Sequence, residues 1–90
     1  MKYYICELTT LIGECEVATA IRFKTEGDAL EYANKIASIF WGESEEDPEG
    51  VYHAKYSYNT CWVDQWKEIS EEVYDALDGI ITRLEADVSY

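Results

Sequence analysis

Apolar and polar residues alternate along the first quarter of the chain, which predicts two β-strands. Residues 2–12 are rich in aromatic and β-branched side chains, and residues 16–24 alternate with a period of two. One face of the second segment holds Val17, Thr19, Ile21 and Phe23, and the other holds Glu16, Arg22 and Lys24. Because Gly13 and Glu14 separate the two segments, the pattern predicts a hairpin over residues 2–24.

The hydrophobic period becomes helical after Thr25. Residues 25–28 resemble a capping box with Asp in place of Glu, so we expect Thr25 to cap the new helix. At about 100° per residue, one side of this helix collects Ala29, Leu30, Ala33, Ile36, Ala37, Phe40 and Trp41. Gly42 is expected to end the helix.

A polar segment and a second strand pair follow. Residues 43–50 include five carboxylates and the chain's one proline, which predicts a solvated loop. Residues 51–58 place Tyr52, Ala54, Tyr56 and Tyr58 on one face, and residues 61–67 place Trp62, Asp64 and Trp66 together. A turn at Asn59-Thr60 would join them into a second hairpin.

The last segment has helical periodicity. Ser70 is a candidate N-cap, and the apolar residues Val73, Leu77, Ile80, Ile81, Leu84 and Val88 recur at spacings of three, four and seven. Gly79 costs a helix about 1 kcal/mol relative to Ala, so an alternative is that the helix ends there and a strand begins at Ile80. The unbroken apolar stripe favours the continuous helix.

These elements predict one α+β domain over residues 1–90 in the order ββαββα. Ninety residues are too few to close two hydrophobic cores. The simplest architecture is an antiparallel sheet of about four strands with both helices on one face.

The composition excludes several classes of function. The chain has 19 Asp and Glu against 7 Lys and Arg, a formal net charge of −12, yet it is 48% hydrophobic and 14% aromatic, which favours a folded protein. Such a surface repels phosphates and anionic lipids, so we expect no direct nucleic-acid or membrane binding. Glu7 interrupts any signal-peptide core, which predicts a cytoplasmic protein.

Metal and catalytic chemistry have little support in the sequence. Cys6, Cys15, Cys61 and His53 lack the close ligand pairs of a structural zinc site, so we expect reduced thiols and no cofactor. His53 is the single histidine, and no phosphate loop, GxSxG or HExxH motif occurs. The sequence therefore predicts a protein that is not an enzyme.

The C-terminal helix carries the most informative charge pattern. Opposite its apolar stripe lie Glu71, Glu72, Asp75, Asp78 and Glu85. Like charges at i,i+3 and i,i+4 destabilise a helix, and this row would extend roughly 21 Å, comparable to several phosphates about 7 Å apart on one nucleic-acid strand. The pattern predicts a surface for a basic partner; the alternative is that the charge only promotes solubility.

The loop and the aromatic residues extend the predicted interaction surface. The loop contributes Glu43, Glu45, Glu46, Asp47 and Glu49. Tyr56 and Trp62 are suited to anchor an interface beside these acids, since aromatic side chains offer contact area at low entropic cost; core packing is the alternative for most of the aromatic residues.

In size, sheet-plus-helix plan and its Glu71-to-Glu85 row, the chain resembles as a class the small acidic anti-defence proteins of phages and mobile elements. These include anti-restriction DNA mimics and anti-CRISPR proteins. The resemblance implies a stoichiometric inhibitor that occupies the nucleic-acid-binding surface of a CRISPR effector or restriction system, in the host cytoplasm if the gene is carried by a phage.

Two hypotheses follow from the sequence. The first is such an inhibitor, which presents carboxylates to a basic nucleic-acid-binding protein; an antitoxin against a basic toxin is a variant. The second is a non-enzymatic adaptor or oligomerisation module that uses an aromatic sheet face. A homodimer through the open sheet face is compatible with both.

Overall fold

The chain folds around one mixed sheet flanked by helices. This computed structural model describes residues 1–83, with side chains described for residues 1–81. The elements are β1 (Lys2–Ile12), β2 (Cys15–Thr25), α1 (Ala29–Ile39), β3 (Ser44–Glu46), β4 (Tyr52–Ala54), β5 (Thr60–Ile69), α2 (Glu71–Ala76) and β6 (Thr82–Arg83).

The sheet has the strand order β3-β4-β5-β1-β2-β6. The first five strands in that order pair antiparallel, with β1 between β5 and β2, and the short β6 joins β2 in parallel. The predicted α+β class with an antiparallel sheet and two helices is therefore confirmed. The predicted number of strands is too low, because the segment predicted as a solvated loop contains β3, and a strand near β6 was given only as an alternative to the continuous helix.

The first hairpin forms where it was predicted. β1 and β2 pair without interruption from Lys2 opposite Thr25 to Ile12 opposite Cys15. Gly13 has φ +63° while Glu14 has no positive φ. A two-residue turn with a left-handed glycine in the first position is a type II′ turn, whose twist matches that of the flanking strands.

The hydrophobic core lies between α1 and one face of the sheet. Tyr4, Cys6 and Leu8 of β1 are buried on this face, and α1 buries Ala29, Tyr32, Ala33, Ile36 and Ala37. Phe23 stacks on both sides, with ring centroids 5.3 Å from Tyr4 and 5.0 Å from Tyr32. The predicted apolar side of α1 is therefore confirmed for Ala29, Ala33, Ile36 and Ala37, whereas Leu30 is 45% exposed and Tyr32 is buried in its stead.

The N-cap of α1 differs from the expectation. The Asp28 carboxylate accepts a hydrogen bond from the backbone N–H of Glu31 at 2.9 Å, so Asp28 is the cap. Thr25 ends β2 and accepts a hydrogen bond from the N–H of Gly27 at 3.1 Å. A short polar side chain next to the first helical turn satisfies its amides, and Asp28 is closer to that turn than Thr25.

The prediction that both helices lie on one face is wrong. Adjacent strand residues point to opposite faces of a sheet. Tyr4 and Phe23 pack under α1, whereas their neighbours Tyr3 and Arg22 contact Tyr74 of α2. The helices therefore cover opposite faces; we call these the α1 face and the α2 face.

The prediction of one continuous helix after Ser70 is also wrong. α2 ends at Ala76, Gly79 has φ +79°, and β6 begins at Thr82. The alternative ending at Gly79 is close to the structure, although β6 begins two residues beyond Ile80. Pairing with β2 at the edge of the sheet outweighs the local helical period. Leu84, Glu85 and Val88 lie outside the described residues.

The second hairpin is only partly as predicted. β4 stops at Ala54, so Tyr56 and Tyr58 lie in a turn and do not extend the strand. Tyr52 is buried in the core. The predicted aromatic face shared by Tyr52, Tyr56 and Tyr58 does not form.

Replacing Phe23 with alanine tests the core. Phe23 has no exposed surface, so we expect Phe23→Ala to lower the free energy of unfolding by about 3–5 kcal/mol, as for other buried aromatic truncations. Urea denaturation followed by tryptophan fluorescence measures this change. Val17→Ala is the control on the same face of β2, since Val17 is 40% exposed; an equal loss in both variants would contradict the placement of the core.

Candidate functional site

The candidate site is built on α2, which carries exposed carboxylates and packs on the α2 face of the sheet. The Ser70 hydroxyl accepts a hydrogen bond from the N–H of Val73 at 3.2 Å and caps the helix. Glu71 and Glu72 lie in its first turn, where the helix dipole favours negative charge, and Asp75 follows one turn later. All of these carboxylate residues are exposed. We call Glu71, Glu72 and Asp75 the α2 carboxylates.

Arg22 fixes α2 and the chain after it to the sheet. Its side chain is 6% exposed. Nη1 donates to the carbonyl of Tyr74 at 2.9 Å, Nε donates to the carbonyl of Ile81 at 3.0 Å, and the guanidinium carbon lies 4.5 Å from the centre of the Tyr74 ring. Because these groups precede and follow the turn after α2, one side chain determines the position of both segments.

Asp78 forms an ion pair with the same arginine. Its carboxylate accepts a hydrogen bond from Nη2 of Arg22 at 2.7 Å. This predicted site residue therefore neutralises a buried charge. The α2 carboxylates form no ion pair among the described residues, so no described cation occupies them.

The carboxylate row is much shorter than the sequence predicted. From Glu71 to Asp75 the helix rises about 6 Å, which is less than one phosphate spacing along a nucleic-acid strand. Glu85 lies outside the described residues. Within the described part of the chain, the α2 carboxylates form a compact cluster and not a ladder of several phosphates.

Tyr3 lies next to this cluster on the α2 face. Its ring centroid is 5.0 Å from that of Tyr74. Desolvation, then the charge of Glu71 and a hydrogen bond with its carboxylate, then the charge of Asp75, raise the pKa of Tyr3 above its ordinary value. Tyr3 therefore lies close enough to Glu71 and Asp75 for both carboxylates to contribute to the shift.

Some carboxylates of the predicted acidic loop bind other side chains of the same protein. Nζ of Lys55 lies 3.0 Å from Glu43 and 4.0 Å from Glu45, and the Tyr56 hydroxyl donates to Glu43 at 3.2 Å. The hydrogen bond from Lys55, followed by its positive charge and the bond from Tyr56, lowers the pKa of Glu43. These contacts connect β3 to the turn after β4.

Asp47 stabilises the turn between β3 and β4. It accepts hydrogen bonds from the N–H groups of Glu49 at 2.9 Å and Val51 at 3.1 Å, and lies 2.8 Å from Nε2 of His53. The bond with His53, and then that from Val51, lowers the pKa of Asp47. Asp47 therefore has a structural role, while Glu46 and Glu49 remain exposed.

The two acidic regions do not form one surface. The residues predicted as an acidic loop include β3, the strand at one edge of the sheet, while α2 contacts β1 and is fixed to β2 near the other edge. Neighbouring strands are about 4.8 Å apart, so β4 and β5 separate the two regions. The structure does not bring the sequence-predicted site residues together into a single patch.

The aromatic candidates also separate. Leu8 pairs with Val63 and Glu7 with Gln65, so Asp64 is an extra residue in β5. Such a bulge reverses the alternation of side chains on its two sides, which places Trp66 on the α1 face, 5.8 Å from Tyr4, and Trp62 opposite Thr9 on the α2 face. The sequence prediction of a shared Trp62–Asp64–Trp66 face is wrong for this reason.

Exposed aromatic surface occurs instead in the turn after β4. Tyr56 is 86% exposed and Tyr58 is 95% exposed. Large exposed aromatic side chains are typical anchors of protein interfaces. Tyr56 therefore stays a candidate contact residue, with Tyr58 added to it.

Sequence reasoning missed the organising role of Arg22, which it placed on the polar side of β2. The available signal was that β2 has a single arginine, and that it lies on the face opposite the apolar residues Ile21 and Phe23. Its buried environment depends on α2 covering the second face, which the pattern did not indicate.

Among the residues that the structure describes, no three His, Cys, Asp or Glu side chains lie close enough together to hold a metal ion. No helix in the described part of the chain has the length and apolar character needed to cross a membrane.

Comparison with known proteins gives no relatives: no protein-family model, no curated protein and no solved structure matches this chain.

Replacing Arg22 with methionine tests the attachment of α2. We expect Arg22→Met to lower the free energy of unfolding by about 3 kcal/mol, since buried hydrogen bonds from a charged donor are lost, and to abolish hydrogen-exchange protection of the Tyr74 and Leu77 amides. The control is Asp78→Asn, which should have a small effect because the Asp78 side chain is 82% exposed. Equal losses in both variants would show that the ion pair, and not the bonds to the carbonyls, holds α2.

Thiol labelling tests the burial of the cysteines. Burial raises the pKa of Cys6 to about 12 and that of Cys61 to about 11, whereas Cys15 is exposed. Because the thiolate is the reactive species, we expect an aromatic disulfide reagent at pH 8 to label Cys15 quickly in the native protein and Cys6 and Cys61 only after denaturation. Fast labelling of native Cys15→Ser protein would contradict this result.

Proposed function

We propose that this protein is a non-enzymatic inhibitor that binds the basic surface of a nucleic-acid-binding protein through the α2 carboxylates. The observation that carries the proposal is that Glu71, Glu72 and Asp75 are exposed on a capped, anchored helix and have no ion pair among the described residues. Like charges at this spacing cost helix stability, and a basic partner would offset that cost.

The compact geometry specifies the form of recognition. A cluster about 6 Å long along the helix axis matches one phosphate-binding pocket better than an extended groove. The cluster would compete with a phosphate for lysine and arginine side chains, while the net charge of −12 accelerates encounter with a basic surface. A CRISPR effector or a restriction enzyme is the class of target that we propose.

The attachment of α2 to the sheet through Arg22 gives the helix the rigidity that such recognition requires. Arg22 bonds to the carbonyl of Tyr74, which lies between Glu72 and Asp75 on α2. A helix backbone that is already fixed loses little conformational entropy on binding, so a small cluster on it gives more affinity than the same residues on a flexible segment.

A second candidate function is an adaptor that binds through the exposed tyrosines after β4. Tyr56 and Tyr58 favour this possibility because such exposed aromatic surface is unusual in a small domain. Association through these residues would be less sensitive to salt than association through the α2 carboxylates.

Charge reversal on α2 tests the proposed inhibitor. We expect Glu71→Lys/Asp75→Lys to lose the ability to displace labelled duplex DNA from the purified target at equimolar protein, since the carboxylates that replace a phosphate are gone. Fluorescence anisotropy measures displacement, and inhibition by the wild-type protein should weaken as salt rises from 50 to 300 mM, roughly as expected for several ionic contacts.

The matched control is Glu26→Lys/Glu31→Lys, which changes the net charge equally at the start of α1. Inhibition that survives this control but not the α2 variant supports the proposal. Equal inhibition by both variants would contradict it. Loss only in Tyr56→Ala/Tyr58→Ala, with little salt dependence, would instead identify the adaptor surface.

A further inference from the structure

The outer edge of β2 offers unpaired backbone groups. β6 begins opposite Ile21 and, being parallel, runs towards Thr25. Among the described residues, no strand pairs with the outer side of residues 15–20, which are exposed except for the half-buried Thr19. We call this segment, Cys15–Ala20, the free edge.

The turn determines which backbone groups point outwards. In a hairpin with a two-residue turn, the flanking pair, Ile12 and Cys15, exchanges hydrogen bonds. Alternation then directs the backbone groups of Cys15, Val17 and Thr19 towards β1. The N–H and C=O groups that face away from β1 belong to Glu16, Ala18 and Ala20. Because β6 pairs opposite Ile21, the carbonyl of Ala20 already lies in the ladder to β6, and the unpaired groups are those of Glu16 and Ala18 and the N–H of Ala20.

The free edge has few of the features that usually prevent strand addition, and Glu16 is its one charged residue. It contains no lysine and no proline, and β2 pairs with β1 without a bulge. Natural proteins commonly protect long edges with these devices. An unprotected edge of this length therefore favours use as a binding surface.

The side chains on the two faces specify the occupant. On the α1 face the free edge presents Cys15, Val17 and Thr19, and Ile12 beside them is 47% exposed. On the α2 face it presents Glu16, Ala18 and Ala20, with Glu14 in the adjoining turn. An added strand would place aliphatic side chains beside Val17 and positive side chains beside Glu16, where opposite charges on neighbouring strands stabilise pairing.

We infer that the free edge binds, by strand addition, an extended segment of another protein in which lysine or arginine alternates with aliphatic residues. A second copy of this chain fits less well, because it would bring together two molecules that each have a net charge of −12. Main-chain hydrogen bonds supply the affinity of such a complex and the alternating side chains supply its specificity. This surface is separate from the α2 carboxylates.

The test uses a capped synthetic peptide of about six residues, the length of the free edge, in which lysine and valine alternate. Amide hydrogen exchange of the full chain is measured by NMR with and without the peptide. We expect slower exchange at Glu16, Ala18 and Ala20 and little change at Cys15, Val17 and Thr19, whose amides already bond to β1. A peptide with glutamate in place of lysine is the control and should not bind.

Ala18→Pro removes one outward N–H while keeping the inner ladder, since proline is tolerated at a strand edge. We expect it to bind the peptide about tenfold more weakly, as for one lost hydrogen bond of about 1.4 kcal/mol. Ala18→Thr keeps the N–H and should bind as the wild type does.

Three results would overturn the inference. Protection of the outward amides before peptide is added would show that this chain or a second copy already covers the edge. Protection without alternation would exclude strand addition, and equal binding of the glutamate peptide would exclude the charge complementarity. If Ala18→Pro fails to fold, the exchange pattern of the wild-type protein with and without the peptide still tests the inference. Glu71→Lys/Asp75→Lys should keep that pattern, which separates this result from the proposed inhibition.

Discussion

The buried guanidinium of Arg22 holds the segment that follows Ser70 against the sheet. It donates to the carbonyls of Tyr74 and Ile81 and to the carboxylate of Asp78. A buried arginine is stable only when its donors are satisfied, and these three acceptors all follow Ser70 in the chain. α2, the turn after it and the entry to β6 therefore take their positions from one residue of β2.

The sheet determines how the two proposed surfaces are arranged. β1 lies at its centre and distributes alternate side chains to the α1 face and the α2 face. The hydrophobic core occupies the first face, so the acidic helix can cover part of the second without disturbing the core. Beyond α2 and β6, β2 continues as the free edge. The acidic surface of α2 and the strand-pairing surface therefore both lie near the β2 edge of the sheet.

Much of the predicted charge has a structural role. Asp78 neutralises Arg22, Asp47 holds a turn and Glu43 pairs with Lys55. The sequence shows the excess of carboxylates but not their partners, because these partners are distant along the chain. The α2 carboxylates differ in having no such ion pair among the described residues, and for that reason they carry the proposed function.

The sequence by itself determined the α+β class, the first hairpin and α1, because local hydrophobic periods and turn residues specify those elements. The tertiary structure decided the rest. Pairing with β2 ended the second helix early, the bulge at Asp64 separated Trp62 from Trp66, and burial of Arg22 placed α2 on the second face. Each of these features depends on contacts between residues far apart in the chain, and a local pattern contains no information about such contacts.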